Sequence, residues 1–576
     1  MAEIKWIYNQ VEQINAVKIA EKSGISVFLA KLLLSRGYDS EEKIKDCLYG
    51  WKESEYDPFL LKDMGKAVDE IKMVISNKEK ITIFGDYDCD GITATAILVD
   101  FLKSIGADVN YYIPDRITEG YGMSILALDV ILNRGTKLVI TVDCGISAKK
   151  EVDYVNSCGC SIIITDHHQC PPELPAAKAV VNPHREDCEY PFKMLAGVGV
   201  AYKLIQALCK EFGLGNVYYK YVELVSLGTI ADVVSITDEN RNIVSEGLEK
   251  ITKTSNLGLF ELLKLSQIDK YKITSYSFSF GLAPRINAAG RMGNAEIALQ
   301  LILADQYELA KELAYLLEVS NKQRQMVEID NLNIVLDIIE NDERILKRNV
   351  IVVSSSKLYS GVVGIVAAKI VEQYNKPCIL LVEEKGKDGE IIARGSARSI
   401  KGINIFEMFT KCKDVLLEYG GHTLAAGVSL EVKNIELLAE RLNSMVIDMD
   451  VKELFVKLIN ADIMIDANDI TVANIESLKL LEPYGNGNET PSFVLNNVYI
   501  DTAKQLGNNN RHLKLSLHKD GMLLNAIAFN MGNKHGEIYP GDRYNIMFTL
   551  ENNEWNNKKV PQLKIIELMK VGYVSE

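Results

Sequence analysis

Residues Ile81–Ala96 read ITIFGDYDCDGITATA, a short apolar run ending in the closely spaced carboxylates Asp86, Asp88 and Asp90, followed by Gly91. Alternate positions of an extended segment point to one side, so these like charges repel one another unless a cation sits among them. A hard divalent metal answers that repulsion. A solvated acidic turn after a strand is the other reading, since Asp and Gly clusters also make turns.

Outward from this stretch, helical and apolar segments alternate: helix 64–77, strand 81–85, helix 92–104, strand 108–113, helix 123–133, strand 137–142, helix 148–156 and strand 161–165. This interval predicts parallel βαβ units, and runs such as LVIT and SIIIT, apolar on both faces, predict a sheet covered on both sides. Asp86 closes ITIFGD, Asp143 closes LVITVD, and Asp166 closes SIIITD with His167 and His168 directly behind it. The carboxyl ends of strands line the ligand crevice of an open parallel sheet, so separate runs deliver Asp or His to one edge. One strand-end Asp is often a helix cap; the repetition is what points to metal. Asp232 interrupts the apolar LVSLGTIADVVSI at 224–236, where a carboxylate is costly unless it is locally paired or ligates a cation. His184, in VNPHRED, reads as a loop hydrogen-bonder.

The chain divides around this unit, which is assigned to 63–300. Residues 1–62 read as a helical lead-in, with periodicity in VFLAKLLL and breaks at Gly24, Gly37 and Pro58. GLAPRINAAGRMGNAE at 281–296 reads as a loop whose small residues admit a close ligand and whose Arg285 and Arg291 suit phosphate. Nearly unbroken helix follows from Ala298 to about Glu340, assigned to 301–346 as a spacer, with substrate expected in the cleft it spans.

A second α/β unit is assigned to 347–452. Its segments Gly395-Ser396-Ala397-Arg398-Ser399 and Gly420-Gly421-His422, with Ala425-Ala426-Gly427, read as loops with the composition of a phosphate grip. No GxxxxGK[ST] occurs, which argues against nucleoside-triphosphate hydrolysis. From 453 to 576 short alternating segments such as SFVLNNVYI, HLKLSLHK and RYNIMFTL predict a small OB-type barrel. Lys504, Arg511, Lys514, Lys519, Lys558, Lys559 and Lys564 recur along it near Phe529 and Tyr544, as either a strand-tracking surface or a solvated sheet face.

A chain of 576 residues exceeds a single core, and hydrophobic and charged fractions of 47% and 25% are those of a soluble globular protein. The net charge of −14 argues against coating nucleic acid over the whole surface while leaving room for a local basic track. MAEIKWIYNQ has no apolar leader segment, and no later run approaches the ~18–20 apolar residues of a membrane helix, so a cytoplasmic protein without a membrane partner is expected. Ten cysteines without disulfide or metal spacing fit reduced thiols.

GDYDCDG, VDCG and above all TDHHQ resemble the DHH phosphoesterase superfamily, and GGHTLAAG resembles its DHHA1 domain. YYIPDRITEGYG (111–122), AGVGVAYKL (196–204), SLGTIADVV (226–234), NAAGRM (287–292) and LEPYGNGNETPSF (481–493) are similar to the RecJ family of single-strand-specific exonucleases within it. Tyr484 and Glu489 stand where that family more often has Phe and Pro. The resemblance implies an α/β fold class: a parallel-sheet DHH domain and a smaller DHHA1 domain joined by a long helix, then an OB-type β-barrel that binds nucleic acid.

It also implies a single-stranded-DNA-specific 5′-to-3′ exonuclease of recombination and repair that releases 5′-mononucleotides by two-metal-ion hydrolysis. Two Mn2+ ions, with Mg2+ as the substitute, would be held by Asp86, Asp88 and Asp90 as ligands or close supports, Asp143 as the bridge, and His167 and Asp232. Asp166 would orient its neighbours and His168 would contact the scissile phosphate. Arg291 would hold a backbone phosphate, with Asn287 of the same motif among the DNA-binding residues. Arg116, Ser396 and Arg398 would grip the 5′ end, with His422 nearby. Single-stranded DNA is the implied partner, a single-strand-binding protein and a RecQ-type helicase the candidate protein partners, and a monomer the expected state. Three rival readings exist, one of them a soluble metal-binding protein with no nuclease role, which would leave the phosphate-grip segments unexplained. Relatives acting on oligoribonucleotides or other short substrates generally lack the barrel and lead-in, and non-catalytic replication scaffolds have lost ligands that are all present here.

Overall fold

The lead-in conceals a strand. In the computed structural model, which describes residues 4–385, 389–447, 449, 454–555 and 558–571, Ile4–Asn9 (β1) alternates half-buried and exposed positions at the edge of the C-terminal sheet. Residues 1–62 are therefore not purely helical: β1 precedes the helices Gln13–Ser23, Val27–Ser35 and Glu41–Tyr49. The last two start on serine caps, whose hydroxyls accept from Leu29 N at 3.1 Å and Lys43 N at 3.2 Å. The chain forms two compact units, one holding 56–234 and 243–457, the other 5–55, 235–242 and 458–576.

In the first unit Lys80–Gly85 (β2), Val109–Tyr112 (β3), Thr136–Val142 (β4), Ser161–Thr165 (β5) and Ala179–Val181 (β6) form an all-parallel sheet ordered β3-β2-β4-β5-β6. Ile81, Ile83, Ile140, Ile162 and Ile164 are fully buried, as a sheet covered on both faces requires. The chain runs from β2 outward to β3, then returns to β4 on the other side, so β2 and β4 flank the topological switch point where such sheets bind ligands.

A second, mixed five-stranded sheet in the same unit joins Ile351–Ser355 (β7), Cys378–Lys385 (β8), Ile391–Arg398 (β9), Glu418–Gly421 (β10) and Ala425–Glu431 (β11) in the order β10-β11-β9-β8-β7. β7 and β8 are parallel and the other pairs antiparallel. Three expected irregular segments are regular here. GLAPRINAAGRM contains the helix Ala283–Arg291, because Ala and Arg favour helix and Pro284 sits harmlessly in the first turn. Gly395 to Arg398 continue β9, pairing Gly395 with Val428 and Arg398 with Ala425. GGHTLAAG is the β10–β11 hairpin. The long helix runs from Tyr307 to Asn341, 35 residues, separated from the helix Glu296–Ile302 by a break at 303–306. That break carries no Gly or Pro, so propensity alone does not reveal it.

The second unit contains Lys457–Met464 (β12), Ser492–Leu506 (β13), His512–Lys519 (β14), Met522–Ala528 (β15), Arg543–Trp555 (β16) and Lys558–Lys570 (β17), ordered β1-β12-β13-β14-β15-β17-β16. Pairing of β13 with β16 closes five of these strands into a barrel. Phe28, Leu29, Leu33 and Ile44 of the lead-in share one core with Ile463, Phe493 and Phe548 of the barrel. Arg36 locks this arrangement, donating from Nε to Asp462 at 2.7 Å and from Nη2 to the Glu489 carbonyl at 2.8 Å. Tyr544 is buried in that core and is no stacking surface, whereas Phe529 is exposed. The expected boundary at 452/453 lies outside the described residues. Among the described residues no helix is long and apolar enough to cross a membrane.

Candidate metal centre

The chain leaves β2 at Gly85 and enters the helix Cys89–Ser104 at once, so Asp86, Asp88 and Asp90 do not alternate along a strand. Asp88 is the helix N-cap, its Oδ1 accepting from Asp90 N at 3.0 Å and Gly91 N at 3.1 Å. Asp90, in the first turn and nearly fully buried, accepts from Gly197 N at 2.7 Å and Val198 N at 2.8 Å, the start of the helix Gly197–Phe212. A Cβ on Gly197 would come within 2.6 Å of Asp143 Oδ1, so glycine is what lets this positive helix end reach both carboxylates.

Asp143 follows β4 with φ at 60°, an uncommon backbone for a side chain other than Gly, Asn or Asp. Beyond β5, Asp166 is fully buried. Its Oδ1 accepts from His167 N (2.7 Å), His168 N (3.1 Å) and His168 Nδ1 (2.8 Å), and its Oδ2 from Ile146 N (2.9 Å). Asp232 ends the helix Val222–Ala231. His167 Nε2 lies 3.1 Å from Asp143 Oδ1, 3.5 Å from Asp232 Oδ2 and 3.9 Å from Asp90 Oδ2. Ligand atoms of Asp86, Asp88 and Asp143 lie within 4.8 Å of one another, and so do those of Asp90, His167 and Asp232, and of Asp143, His167 and His168. Two donor sets thus meet at Asp143.

Burial, then the charge of neighbouring aspartates, pushes Asp86 and Asp143 well above the ordinary carboxylate range, Asp90 up to about 7 and Asp232 up to about 9. Burial and His168 push His167 down to about 4, leaving it neutral with a lone pair to offer. For His168, burial works downward, but the hydrogen bond and charge of Asp166 prevail and raise it to about 9. Asp86 Oδ1, Asp143 Oδ1 and His167 Nε2 are buried without a hydrogen bond. A carboxylate-rich set with one neutral imidazole and three orphaned ligand atoms fits a hard divalent cation, which would pair those atoms and reverse the repulsion.

The expected phosphate ligands separate into groups. Arg116 lies over the Tyr87 ring, 5.0 Å from its centroid, and acts electrostatically on Asp86. Asn287 spends its side-chain oxygen on Cys89 N at 2.7 Å, tying the helix Ala283–Arg291 to the helix that carries Asp90. Arg291 is pushed down to about 10 by burial and by Arg116 and Arg324. Arg398 donates to Ser396 Oγ at 2.7 Å and is lowered by burial and by Arg116. These crowded guanidiniums favour an anion among them. His422 is exposed at the β10–β11 turn, its N donating to Ala425 O at 2.8 Å, and among the described contacts none joins it to Arg398 or Ser396. His184 is a loop residue near Gln169, 3.4 Å away.

Sequence reasoning missed Tyr121, whose hydroxyl lies 3.4 Å from both the Asp143 carbonyl and His168 Nδ1. Its one local signal is an aromatic between Gly120 and Gly122, both at positive φ. It also missed Arg324, set by Asn321 at 2.6 Å and Glu328 at 2.5 Å on a helix read as a spacer.

Family models match the chain as the DHH family, N-terminal domain, over residues 80–229, the DHHA1 domain over 347–448 and the RecJ OB domain over 461–567. The single-stranded-DNA-specific exonuclease RecJ of Bacillus subtilis (strain 168) is 39% identical over 566 residues, 98% of this chain and 70% of that protein. The crystal structure of RecJ in complex with Mn2+ from Thermus thermophilus matches with a TM-score of 0.83 at 28% identity, covering 99% of this chain and 80% of that one. The Mg2+ complex from the same organism matches with a TM-score of 0.78 at 27% identity, covering 99% and 79%.

Proposed function

Since the chain belongs to the RecJ family of single-stranded-DNA-specific exonucleases, metal-dependent hydrolases, we propose that Asp86, Asp88 and Asp143 hold one divalent cation and Asp90, His167 and Asp232 a second, with Asp143 reaching both. The observation that carries this is the position of Asp143, which groups with Asp86 and Asp88 and whose Oδ1 stands 3.1 Å from Nε2 of His167 in the other set, beside the switch point of the sheet. When bound, such a pair supplies charge stabilisation at phosphorus and an acidified water, so no protein nucleophile is required. Mn2+ is the proposed ion, with Mg2+ able to replace it.

The remaining residues bind and orient. Asp166 keeps His168 cationic and fixed through Nδ1, leaving Nε2 to donate to a phosphate oxygen. Arg291 takes a backbone phosphate. Arg116, Ser396 and Arg398 take the 5′ end, which gives 5′-to-3′ polarity and release of 5′-mononucleotides. On the barrel, Lys504 and Lys514 are exposed and directly opposite one another across β13 and β14, a like-charge pair that a phosphate backbone would relieve. Lys519, Lys559 and Lys564 are instead paired with Asp520, Glu476 and Glu551. A monomer sharing its strand with a single-strand-binding protein and supplied by a RecQ-type helicase completes the reading.

The test is digestion, with Mn2+, of a 3′-labelled single strand and of its blunt duplex. The expected result is stepwise shortening of the single strand from its unlabelled end and an intact duplex. Equal loss of the duplex, or label released first, would overturn specificity or polarity.

A further inference from the structure

The helix Ala283–Arg291 is held from two sides. Asn287 ties it to the helix bearing Asp90, as described. At its other end the Arg291 carbonyl accepts from Tyr359 Oη at 3.3 Å, and Arg291 Nη1 donates to the Gly361 carbonyl at 3.4 Å. A Cβ on Gly361 would overlap the Arg291 carbonyl oxygen and lie 2.7 Å from Tyr359 Cε1, so the two segments touch backbone to backbone.

Tyr359 is itself anchored. Its carbonyl accepts from Asn331 Nδ2 at 3.2 Å and its N donates to Asn331 Oδ1 at 3.4 Å, and Asn331 is buried on the helix Tyr307–Asn341. One turn earlier, Glu328 pairs at 2.5 Å with both Arg324 and Lys369, the latter on the helix Val363–Tyr374 of the smaller domain. Hydrogen bonds therefore link Cys89 to Asn287, the Arg291 carbonyl to the Tyr359 hydroxyl, and the Tyr359 main chain to Asn331.

We propose that the Tyr359–Gly361 turn is a latch that fixes Arg291, which makes Tyr359 a positioning residue for substrate phosphate. The proposal rests on Arg291 being a phosphate ligand. The hydroxyl grips the main chain of Arg291 and the Gly361 carbonyl grips its guanidinium. Neither needs to touch DNA: the latch removes alternative orientations of Arg291 before the strand arrives. Without it the metal ligands stay in place, while the phosphate meets a less organised arginine.

The test is steady-state digestion of single strands by the full-length metal-loaded enzyme. Tyr359→Phe deletes one hydrogen bond, so KM should rise ~3–10-fold with kcat unchanged. Gly361→Ala, which forces the segments apart, should raise KM further. Tyr359→Phe combined with Arg291→Ala should be no worse than Arg291→Ala alone, since the hydroxyl acts through Arg291. Additive losses in the double variant, a fall in kcat at constant KM, or no change in Tyr359→Phe would each overturn the latch. An inactive wild-type enzyme would overturn the functional reading instead, so the two failures are distinguishable; should Gly361→Ala not fold, the Tyr359→Phe cycle still decides.

Discussion

Asp166 shows how one carboxylate organises a site without being proposed to touch the metal. It accepts four N–H groups on two oxygens, from His167 N, His168 N, His168 Nδ1 and Ile146 N. Asparagine offers one oxygen and would present its NH2 group to one of those donors. Asp166→Asn should therefore lower activity ~10–100-fold at saturating manganese, as loss of a ligand-orienting partner does, read as initial rates on a labelled single strand. The ligands themselves give a pH dependence with a definite sign. In the metal-free fold Asp90 titrates near 7 and Asp232 near 9, against an ordinary value of 3.8. The folded site holds protons that the unfolded chain has released, so this contribution to stability is full below about 4 and is lost as pH rises through 7 to 9. A cation must displace those protons, so its affinity climbs over the same window. Manganese should accordingly raise Tm more near pH 8 than near pH 6; an equal or smaller rise at the higher pH would contradict the ligand assignment. At this scale the residue types were legible in the sequence, because strand-end Asp and His recur at one sheet edge. Their geometry was not. Alternation placed Asp86, Asp88 and Asp90 on one extended face, whereas the helix begins at Cys89 and turns Asp88 into its cap. Tyr121 reaches the site through tertiary contacts with Asp143 and His168, and Arg324 through its charge on Arg291, partners that the sequence around each does not specify.

Elements were readable where hydrophobic period and length agree. The strands β2, β4 and β5 fall where their doubly apolar runs placed them, because burial on both faces leaves little else for such runs to do. Short segments of small residues were misread as loops for a common reason: Gly and Ala report closeness of approach, not absence of structure. Gly395 lies in mid-strand, and the Ala and Asn of 287–289 lie within a helix. The lead-in shows the converse error, since β1 alternates on too few residues to stand out against the helices after it. Its consequence is testable. The helices of residues 13–49 and the barrel share one core, in which the Phe28 and Phe493 rings stack 5.5 Å apart. Removing residues 458–576 should therefore strip the lead-in of its packing partner, seen as loss of cooperative near-UV signal and a tendency to aggregate at the exposed leucines. A truncated chain that stays monomeric with an unchanged Tm would show that the lead-in does not need the barrel.

Over the whole chain, domain order was legible because each module carries its own composition: doubly apolar strands, a long helix free of Gly and Pro, then short alternating strands. What the linear order conceals is that the second unit gathers residues 5–55, 235–242 and 458–576. Arg241, in the middle segment, donates to the carbonyls of Cys47, Leu480 and Glu482, tying all three pieces together. LEPYGNGNETPSF belongs to this fastening, with Tyr484 Oη donating to Leu478 O at 2.7 Å. The first unit likewise draws its candidate site from Asp86 to Arg398, across a parallel sheet, a run of helices and a mixed sheet. The proposed chemistry centres on the stretch after β2 and its junction with Asp143. Equilibrium dialysis of wild type and Asp143→Ala against manganese, with metal counted per chain and nuclease rate measured on the same samples, tests it most directly. The expected result is two ions in the wild type, at most one in the variant, and a rate lower by ~10³-fold or more at an unchanged metal-free Tm. Two retained ions or a wild-type rate in Asp143→Ala would contradict a centre built around that aspartate.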